Sequence, residues 1–474
     1  MTLPSYSNAN RAEFGFLALG LLAAVLLGLL IPTVPLLPLA LIIVGPVLLL
    51  IGAIWPLAAV LVTVALAFEI IPTGLVMGIG SFRPHELMIG YLAVVVVGRA
   101  LLRHEAIFAP LGRFRWPLLY LVLCVAMSVV YAHFFAHNEF ILAELRNFVV
   151  WWLLLPTLLL VVRTDADQRL LIRGMIALAL AMSCIVIVQS VFDIRILTEA
   201  RVEALDNSVN ADVTRSIAGG VTYLMVFALY YFLSMIARRK GSFLLFGLAV
   251  LLLVGGLAVT FGRGVWIATS AGLLLATFIN QGVRGVVITG FTGALFVAGM
   301  LGLGSVVKPR LVDAIIDRAT SVGEELDRGG SFAWRGLENR AALAVLEARP
   351  LTGVGLGGEY KKTISTRGSF KNETWYIHNA YMAYAVKMGV HAALFPFWMM
   401  FAFAVTAADA LRRASSDSRS LQAALIGAFI VPVITSYTQP EWIAGSGVVA
   451  FSLLIAGLLV SAQDRRHEAS NVPR

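Results

Sequence analysis

The stretch Phe243-Leu-Leu-Phe-Gly-Leu-Ala-Val-Leu-Leu-Leu-Val-Gly-Gly-Leu-Ala-Val-Thr-Phe-Gly262 contains no charged residue and is followed directly by Arg263. A run of about 20 apolar residues is the length that an α-helix needs to cross the hydrocarbon core of a bilayer. The stretch therefore predicts a transmembrane helix with an arginine at one end. Similar runs recur along almost the whole chain, and no polar tract between them is long enough for an independent soluble domain.

The composition indicates that the bilayer supplies most of the burial in this protein. Hydrophobic residues make up 59% of the 474 residues and charged residues only 13%, with a mean hydropathy of +0.87. A soluble domain has roughly half apolar and a quarter charged residues. We therefore predict an all-α polytopic membrane protein, in which residues 1–474 form a single membrane domain.

About fourteen transmembrane helices are predicted, with twelve or thirteen as alternatives. The count is open because the pair divided at Pro56 and the run after Pro84 can also be kinked or interfacial helices. Residues 14–31 are longer than the apolar core of a cleavable signal peptide, so we expect a retained first helix. The predicted helices cover about residues 14–31, 36–55, 57–77, 84–101, 116–135, 145–162, 168–191, 217–237, 242–262, 264–280, 284–305, 378–406, 420–437 and 442–461.

The distribution of basic residues predicts the orientation, because loops rich in Lys and Arg stay in the cytoplasm. All the basic clusters fall on one side of the helix count, so both termini are predicted to be cytoplasmic. Residues 192–218 then form a first periplasmic loop, and residues 306–377 form a large periplasmic loop between the eleventh and twelfth helices. The inner clusters explain most of the net charge of +9, and no nucleic-acid partner is predicted. The clusters comprise Arg103, Arg113 and Arg115; Arg163, Arg169 and Arg173; Arg238, Arg239 and Lys240; Arg284; Arg412, Arg413 and Arg419; and Arg465 with Arg466.

The large loop is predicted to be partly helical. Ser331–Ala348 has the pattern of an amphipathic helix, with Leu337, Ala341 and Val345 on one stripe, and Pro350 ends it. Within the following segment, residues 350–358 contain a formal G-x-G-x-x-G. A dinucleotide site would need a preceding strand and a following helix, which this context does not offer. We interpret the segment as a glycine turn that could also present backbone amides to a phosphate.

Some arginines lie at outer helix ends, where the topology does not require them. Arg215 precedes the eighth helix, and Arg263 lies in a tight turn between two glycines, where a guanidinium and free backbone N–H groups can approach one anion together. The alternative is that each arginine extends to lipid headgroups. For Arg146 we expect a local ion pair with Glu144.

Metal and redox chemistry are not indicated. Cys124 and Cys184 both lie inside apolar runs, and the chain has no Cys/His metal spacing. His133 and His137 have the i, i+4 spacing of a metal pair, but no third ligand is convincingly placed.

The stretch Trp375-Tyr-Ile-His-Asn-Ala-Tyr-Met382 places His378 where the polar loop gives way to an apolar helix. Asn379 can cap that helix, and Tyr376 and Tyr381 lie near the histidine in sequence. A capping or interfacial role is one interpretation of His378. The other is catalytic, because a neutral imidazole at the lipid–water boundary can take a proton from a hydroxyl near pH 7.

These features together resemble one family. The pattern comprises the large late loop, Arg263-Gly264 after an apolar run, the amphipathic helix with the glycines that follow it, and His378-Asn379-x-Tyr381 with Gly389 further on. It resembles the bacterial O-antigen ligase and polymerase (Wzy) superfamily over roughly residues 263–390. The long tract 359–373 between the glycines and the histidine departs from the simplest form of the pattern.

The resemblance implies a glycosyltransferase that takes a glycan from undecaprenyl diphosphate at the outer face of the bacterial inner membrane. It implies an inverting mechanism without a metal or other cofactor, with His378 as general base and arginines that bind the diphosphate. The acceptor is a glycan or lipid A core, and the further partners are membrane lipid and other polysaccharide assembly proteins. The diphosphate-binding residues implied are Arg263, Arg215 and Arg335, and the supporting residues are Asn379, Tyr381, Gly353 and Gly355.

The sequence leaves three alternatives open. A polymerase adds repeat units to a lipid-linked chain, whereas a ligase moves finished glycan to lipid A core or protein; the length of the chain favours an exopolysaccharide or O-antigen polymerase. A flippase for lipid-linked oligosaccharide has a similar helix number, but such transporters typically contain internal repeats, which this sequence does not show. A scaffold without chemistry leaves the outer arginines and His378 unexplained.

Overall fold

The structure is a computed structural model, and it describes residues 50, 52–70, 83–194, 196, 202–204, 214–216, 218–239, 241–320, 331–361 and 374–470. The regular secondary structure within these ranges is helical, apart from one two-stranded antiparallel ribbon of β1 (Val202–Ala204) and β2 (Thr214–Ser216). The fifteen α-helices of the described residues are α1 (Pro56–Ala67), α2 (Pro84–Leu102), α3 (Arg115–Tyr131), α4 (Ile141–Val149), α5 (Leu154–Val161), α6 (Asp165–Phe192), α7 (Val221–Ala237), α8 (Phe243–Ala258), α9 (Arg263–Val307), α10 (Pro309–Thr320), α11 (Ser331–Ala348), α12 (Ala380–Met388), α13 (Leu394–Arg413), α14 (Ser416–Thr435) and α15 (Gly445–Ser470).

The predicted fold class, an all-α polytopic membrane protein, is confirmed. Eight helical segments of the described residues are long and apolar enough to cross a bilayer, and three shorter helices, α1, α7 and α8, are also apolar. The prediction of about fourteen spans stays a prediction, because residues 14–31 and most of 36–55 lie outside the described residues. The eight segments are Pro84–Leu102, Gly112–Ala136, Ile141–Val161, Asp165–Phe192, Arg263–Val307, Val390–Arg413, Ser418–Thr435 and Gly445–Ala462.

Two glycines divide long helical stretches. Gly282 has φ 65° and ψ −158° inside α9, so the two helices predicted at 264–280 and 284–305 meet at a break rather than at a loop. The single helix predicted over 378–406 is wrong. Gly389, with φ 96°, ends α12, and a short 3-10 turn at Val390–Ala393 separates α12 from α13. A positive φ is the conformation that glycine adopts most readily, so this residue sets the break.

The core of the bundle is built around α7, α9 and α14. Most of α7 is buried, and its Tyr223 hydroxyl lies 2.8 Å from the Thr435 Oγ1 of α14, while the Tyr230 hydroxyl donates to the carbonyl of Thr269 in α9. Gly272 and Gly427 allow close approach of α9 and α14, since a Cβ on either glycine would lie 2.5 Å from the other's carbonyl oxygen. Close packing at glycines is typical of helix pairs in membranes.

Helix α14 defines the two ends of the bundle. At its first residues, the Arg238 side chain donates to the Ser416 carbonyl, and Arg419 Nε donates to the Ile279 carbonyl at 3.1 Å. Beyond its last residues, the Ser436 carbonyl accepts from the Ala380 N–H at 2.9 Å. The start of α9 lies at this second end too, because a Cβ on Gly264 would be 3.9 Å from Thr438 Oγ1. Residues 378–380 and 263–264 therefore occupy the same end of α14, which we call the His378 end.

The large loop contains two helices in its described part. The predicted helix is confirmed as α11, with the predicted bounds Ser331–Ala348, but its predicted apolar stripe is only partly buried, because Leu337 is 45% exposed. Helix α10 was not predicted from the sequence; it is strongly amphipathic and buries Leu311, Val312, Ala314 and Ile315. Residues 321–330 and 362–373 lie outside the described residues.

Candidate functional site

The site begins at the N-terminus of α12. The Asn379 side chain accepts hydrogen bonds from the N–H groups of Tyr381 and Met382, at 3.1 and 3.2 Å, so the predicted cap is confirmed. A side-chain oxygen that satisfies free N–H groups is the usual N-cap arrangement. His378 therefore lies just before the helix and does not itself cap it. The Tyr381 hydroxyl donates to the Val433 carbonyl at 2.8 Å, which ties α12 to the end of α14.

The His378 ring is held by a carboxylate of the large loop. Its Nδ1 lies 2.8 Å from Glu338 Oε2, and its backbone N–H donates to the same oxygen at 3.3 Å. The other oxygen of Glu338 accepts from Lys361 Nζ at 2.5 Å. The side chains of Glu338 and Lys361 are each only 2% exposed, whereas that of His378 is 22% exposed. The ring is thus held at Nδ1 and remains partly exposed.

The charge state of Glu338 follows from these contacts. Burial alone would raise the pKa of the Glu338 carboxyl, but the hydrogen bonds from His378 and Lys361 outweigh it and hold the pKa below its ordinary value. A buried carboxylate needs such partners to remain ionised. Glu338 is therefore an anion at neutral pH, in contact with the imidazole.

Sequence reasoning did not find Glu338 or Lys361. The predicted apolar stripe contains Leu337, which is 45% exposed, whereas the buried face of α11 carries Glu338 and Ala342. A carboxylate on the buried face of an amphipathic helix requires a partner. Lys361 belongs to the tract 359–373, and no local pattern in the sequence links it to residue 338.

The glycine segment after α11 is a fixed structural turn. Its amides are committed inside the protein: Val354 N–H donates to the Val386 carbonyl at 2.8 Å, Leu356 N–H to Ser128 Oγ at 3.1 Å and Gly357 N–H to Glu144 Oε2 at 2.6 Å. These amides are therefore not available to a phosphate. Gly353 and Gly355 adopt φ of 60° and 79° and pack closely against Val386 of α12 and against Ala132, which directly follows α3. Their supporting role in the site stays a prediction.

A second buried ion pair joins this turn to α12 and α4. Lys387 Nζ lies 2.5 Å from Glu144 Oε1 and also donates to the Gly358 carbonyl at 2.7 Å. The ion pair predicted between Arg146 and Glu144 is wrong, because Glu144 is used by Lys387, and Arg146 Nε lies 3.2 Å from Glu86 Oε1 on α2. The local sequence spacing does not reveal the residues that tertiary packing brings to each side chain.

The structure places the three candidate arginines on three different elements. Arg263 is the first residue of α9 and is partly buried at the His378 end, next to a turn whose Phe261 carbonyl lies 3.5 Å from Arg318 Nε. Arg335 is partly buried on α11, three residues before Glu338 and so on the same side of that helix. Arg215 lies on β2 with its Cα opposite that of Glu203. Arg263 thus lies at the His378 end of the bundle, and Arg335 lies on the helix whose Glu338 contacts the His378 ring.

The described residues contain no group of three or more His, Cys, Asp or Glu side chains placed to hold a metal ion. His133 lies in a π-helical turn, and His137 follows it in the left-handed conformation with φ 53°. Both are exposed. The absence of a cofactor in the reaction stays a prediction.

A cavity of about 560 Å³ lies beside α11. One wall is formed by small side chains of the helix, including Ala341 and Ala344, and another by Tyr360 and Lys361. The Tyr360 hydroxyl donates to the Tyr376 carbonyl at 2.9 Å, so this wall is tied to the residues just before His378. Lys361 connects the cavity to the carboxylate that holds the imidazole.

Chemically, the arrangement offers a partly exposed imidazole oriented by an anion, with Arg263 at the same end of the bundle. It combines a proton acceptor with a cation that can bind an anionic leaving group.

A family model matches part of the chain. No curated protein matches the chain. Residues 248–397, which contain the region 263–390, match the family model described as O-Antigen ligase. The match falls on the region whose sequence pattern resembles the O-antigen ligase and polymerase superfamily, and it supports that resemblance.

Proposed function

We propose that the protein is a glycosyltransferase that moves a glycan from undecaprenyl diphosphate to a sugar hydroxyl. The family match supports a glycosyl-transferring enzyme of O-antigen or polysaccharide assembly in a multi-pass membrane protein. The observation that carries the proposal is the His378 ring, which is held at Nδ1 by Glu338 and is otherwise partly exposed at the end of the bundle where α9 begins with Arg263.

The reaction has two requirements. The acceptor hydroxyl attacks C1 of the donor sugar while the bond from C1 to the diphosphate oxygen breaks, and the configuration at C1 inverts. The hydroxyl proton passes to the free ring nitrogen, Nε2 of His378, acting as general base. Undecaprenyl diphosphate leaves with the electron pair of the broken bond.

The leaving diphosphate gains negative charge as the bond breaks, so preorganised cations stabilise the transition state. Arg263 is assigned to the diphosphate, with Arg335 and Arg215 as additional ligands. A guanidinium matches phosphate oxygens with two parallel hydrogen bonds, and several of them replace a divalent metal. The reaction is therefore expected to proceed in the presence of EDTA.

The topology of the reaction follows the bilayer. We place the protein in the bacterial inner membrane, with both termini in the cytoplasm and His378 facing the periplasm. The end of the bundle opposite His378 supports this placement, because it carries arginines. Arg238 contacts the start of α14, and Arg113 pairs with Asp409 near the end of α13 at 2.6 Å. Arginine-rich ends are retained on the cytoplasmic side.

Polymerisation of exopolysaccharide or O-antigen repeat units is the preferred reaction, and ligation of finished glycan to lipid A core or protein is the second candidate. The two differ only in the acceptor. A lipid-linked repeat unit as acceptor gives ladders of increasing length, whereas lipid A core as acceptor gives a single addition.

The experiment uses the purified full-length protein in EDTA with a synthetic undecaprenyl diphosphate glycan and each acceptor. His378→Ala is expected to lower the transfer rate by about 10²- to 10⁴-fold, the range of a general base. His133→Ala, an exposed histidine outside the site, is the matched control and retains the rate. Transfer by His378→Ala at the wild-type rate would remove the assigned base. Movement of the lipid across vesicles without a new glycosidic bond would instead identify a flippase.

A further inference from the structure

We infer that Glu338 and Lys361 are positioning residues that hold His378 in the one neutral tautomer able to accept a proton at Nε2. The inference rests on the proposed function, because it concerns the proton that His378 takes from the acceptor. Both positioning residues lie in the large loop, and Glu338 precedes the histidine by 40 residues.

The tautomer follows from the donor and acceptor inventory of the contact. An ionised carboxylate has no proton to donate, so the 2.8 Å contact between Nδ1 and Glu338 Oε2 requires the proton to be on Nδ1. A neutral imidazole carries only one N–H, and Nε2 is then the nitrogen with a lone pair. The same oxygen also accepts the His378 backbone N–H at 3.3 Å, which fixes the ring relative to its own main chain.

Lys361 determines the position and charge of the carboxylate. Its ammonium lies 2.5 Å from Oε1, the oxygen that His378 does not use, so the two oxygens of Glu338 are divided between two partners. Both side chains are almost fully buried, and the lysine therefore offsets a charge that would otherwise be costly to bury. The lowered pKa of Glu338 agrees with a carboxylate that stays ionised across the working pH range.

The residues around the ring are the ones that influence its charge. Glu338 faces it from α11, with Arg335 one turn earlier on the same helix, and Lys361 acts through Glu338. The Tyr376 ring meets the imidazole edge to face, with centroids 4.9 Å apart. When Nε2 accepts a proton, the new positive charge lies beside the carboxylate, which stabilises the imidazolium as it forms.

A purely structural role for the Glu338–Lys361 pair makes a different prediction. A pair that only joined α11 to the following loop would affect stability, and its removal would change neither the tautomer nor the pH dependence of the rate. The test therefore needs measurements of the ring itself and of the pH profile.

The first measurement is the ¹⁵N NMR spectrum of histidine-labelled full-length protein in nanodiscs near pH 8, with His378→Ala used to assign the resonances. We expect the wild-type ring to carry its proton on Nδ1. In Glu338→Gln, the amide NH₂ donates to Nδ1, so the proton moves to Nε2. A wild-type ring with its proton on Nε2 overturns the inference, and this result needs no variant that folds poorly.

The second measurement compares kcat, KM and the pH–rate profile. We expect Glu338→Gln to lower kcat by about 10²-fold or more with little change in KM, and Glu338→Asp to recover part of the loss. A pair that sets the charge beside the ring should change the position of the acidic limb in both Glu338→Gln and Lys361→Met, whereas a purely structural pair should leave it unchanged. Exposed Glu347→Gln on the same helix is the matched control.

The outcomes separate this inference from the proposed function. If His378→Ala is inactive but Glu338→Gln has wild-type kcat and an unchanged acidic limb, the positioning role is wrong and the base assignment stands. If His378→Ala is as active as wild type, the base assignment fails, whatever Glu338 does.

Discussion

Glu144 of α4 and Lys387 of α12 form an ion pair 2.5 Å long, with side chains only 6% and 2% exposed. Each partner also holds the glycine turn: Glu144 accepts the Gly357 N–H, and Lys387 donates to the Gly358 carbonyl. The pair therefore fixes the end of α12 opposite His378 to both α4 and the turn that leads to Lys361. A buried ion pair, which we call the clamp, therefore lies at the end of α12 opposite the candidate site.

The clamp predicts a large loss of stability when one partner is removed. Lys387→Met leaves the Glu144 carboxylate buried and removes one of its two partners, so that only the Gly357 N–H remains. We expect a loss of about 3–5 kcal/mol in the free energy of unfolding. The double variant Glu144→Gln/Lys387→Met removes both charges and keeps an acceptor for Gly357, so most of the stability should return. Denaturant titration of the purified proteins measures both. Equal destabilisation by the single and double variants would show that burial of an unpaired charge is not the cause.

The glycine turn predicts that a single methyl group is not tolerated at Gly353. A Cβ there would lie 2.0 Å from the Val386 carbonyl oxygen, and the residue has φ 60°. Gly353→Ala must therefore displace the turn from α12, and we expect a destabilisation of about 2 kcal/mol or more. Gly336→Ala on α11, where a Cβ meets nothing within 4 Å, is the control and should be neutral or stabilising. Thermal unfolding of the two variants compares them directly, and similar melting temperatures would contradict the packing argument.

We expect arginine and lysine at position 263 to support different rates of transfer. Arg263→Lys keeps the positive charge but loses the paired hydrogen bonds of a guanidinium, so we expect kcat/KM for the lipid-linked donor to fall about 10- to 100-fold. Arg263→Ala should fall further. Arg412→Lys, whose side chain is 79% exposed at the end of α13, should retain the wild-type value. Wild-type kinetics in Arg263→Lys would show that the residue supplies charge alone or lies outside the diphosphate site.

Much of the framework could be predicted from the sequence, because hydrophobic runs, helix caps and amphipathic stripes are local signals. The bounds of α11 and the Asn379 cap are of this kind. The pairs Glu338–His378, Glu144–Lys387 and Arg146–Glu86 are not, since they join residues that are distant in sequence and meet only through packing. The break at Gly389 was also missed, because a glycine in an apolar run predicts a break only when its φ is known.

The lowered pKa of Glu338 predicts a pH window for the stability of the loop. Because the folded-state pKa lies below the ordinary value of about 4.3, the ionised carboxylate stabilises the folded protein above that value, and this contribution is lost as the pH falls through the lower folded-state pKa. Between pH 7 and about 5 this group should cause no change. As the pH falls below the ordinary pKa, the contact between α11 and α12 should weaken progressively in wild type, whereas Glu338→Gln, which has no such group to titrate, should show less additional opening. Hydrogen exchange of peptides from α11 and α12, corrected for the intrinsic pH dependence of exchange, measures the opening. The exposed variant Glu347→Gln should follow wild type, and an equally steep loss of protection in Glu338→Gln would show that another group controls the acid transition.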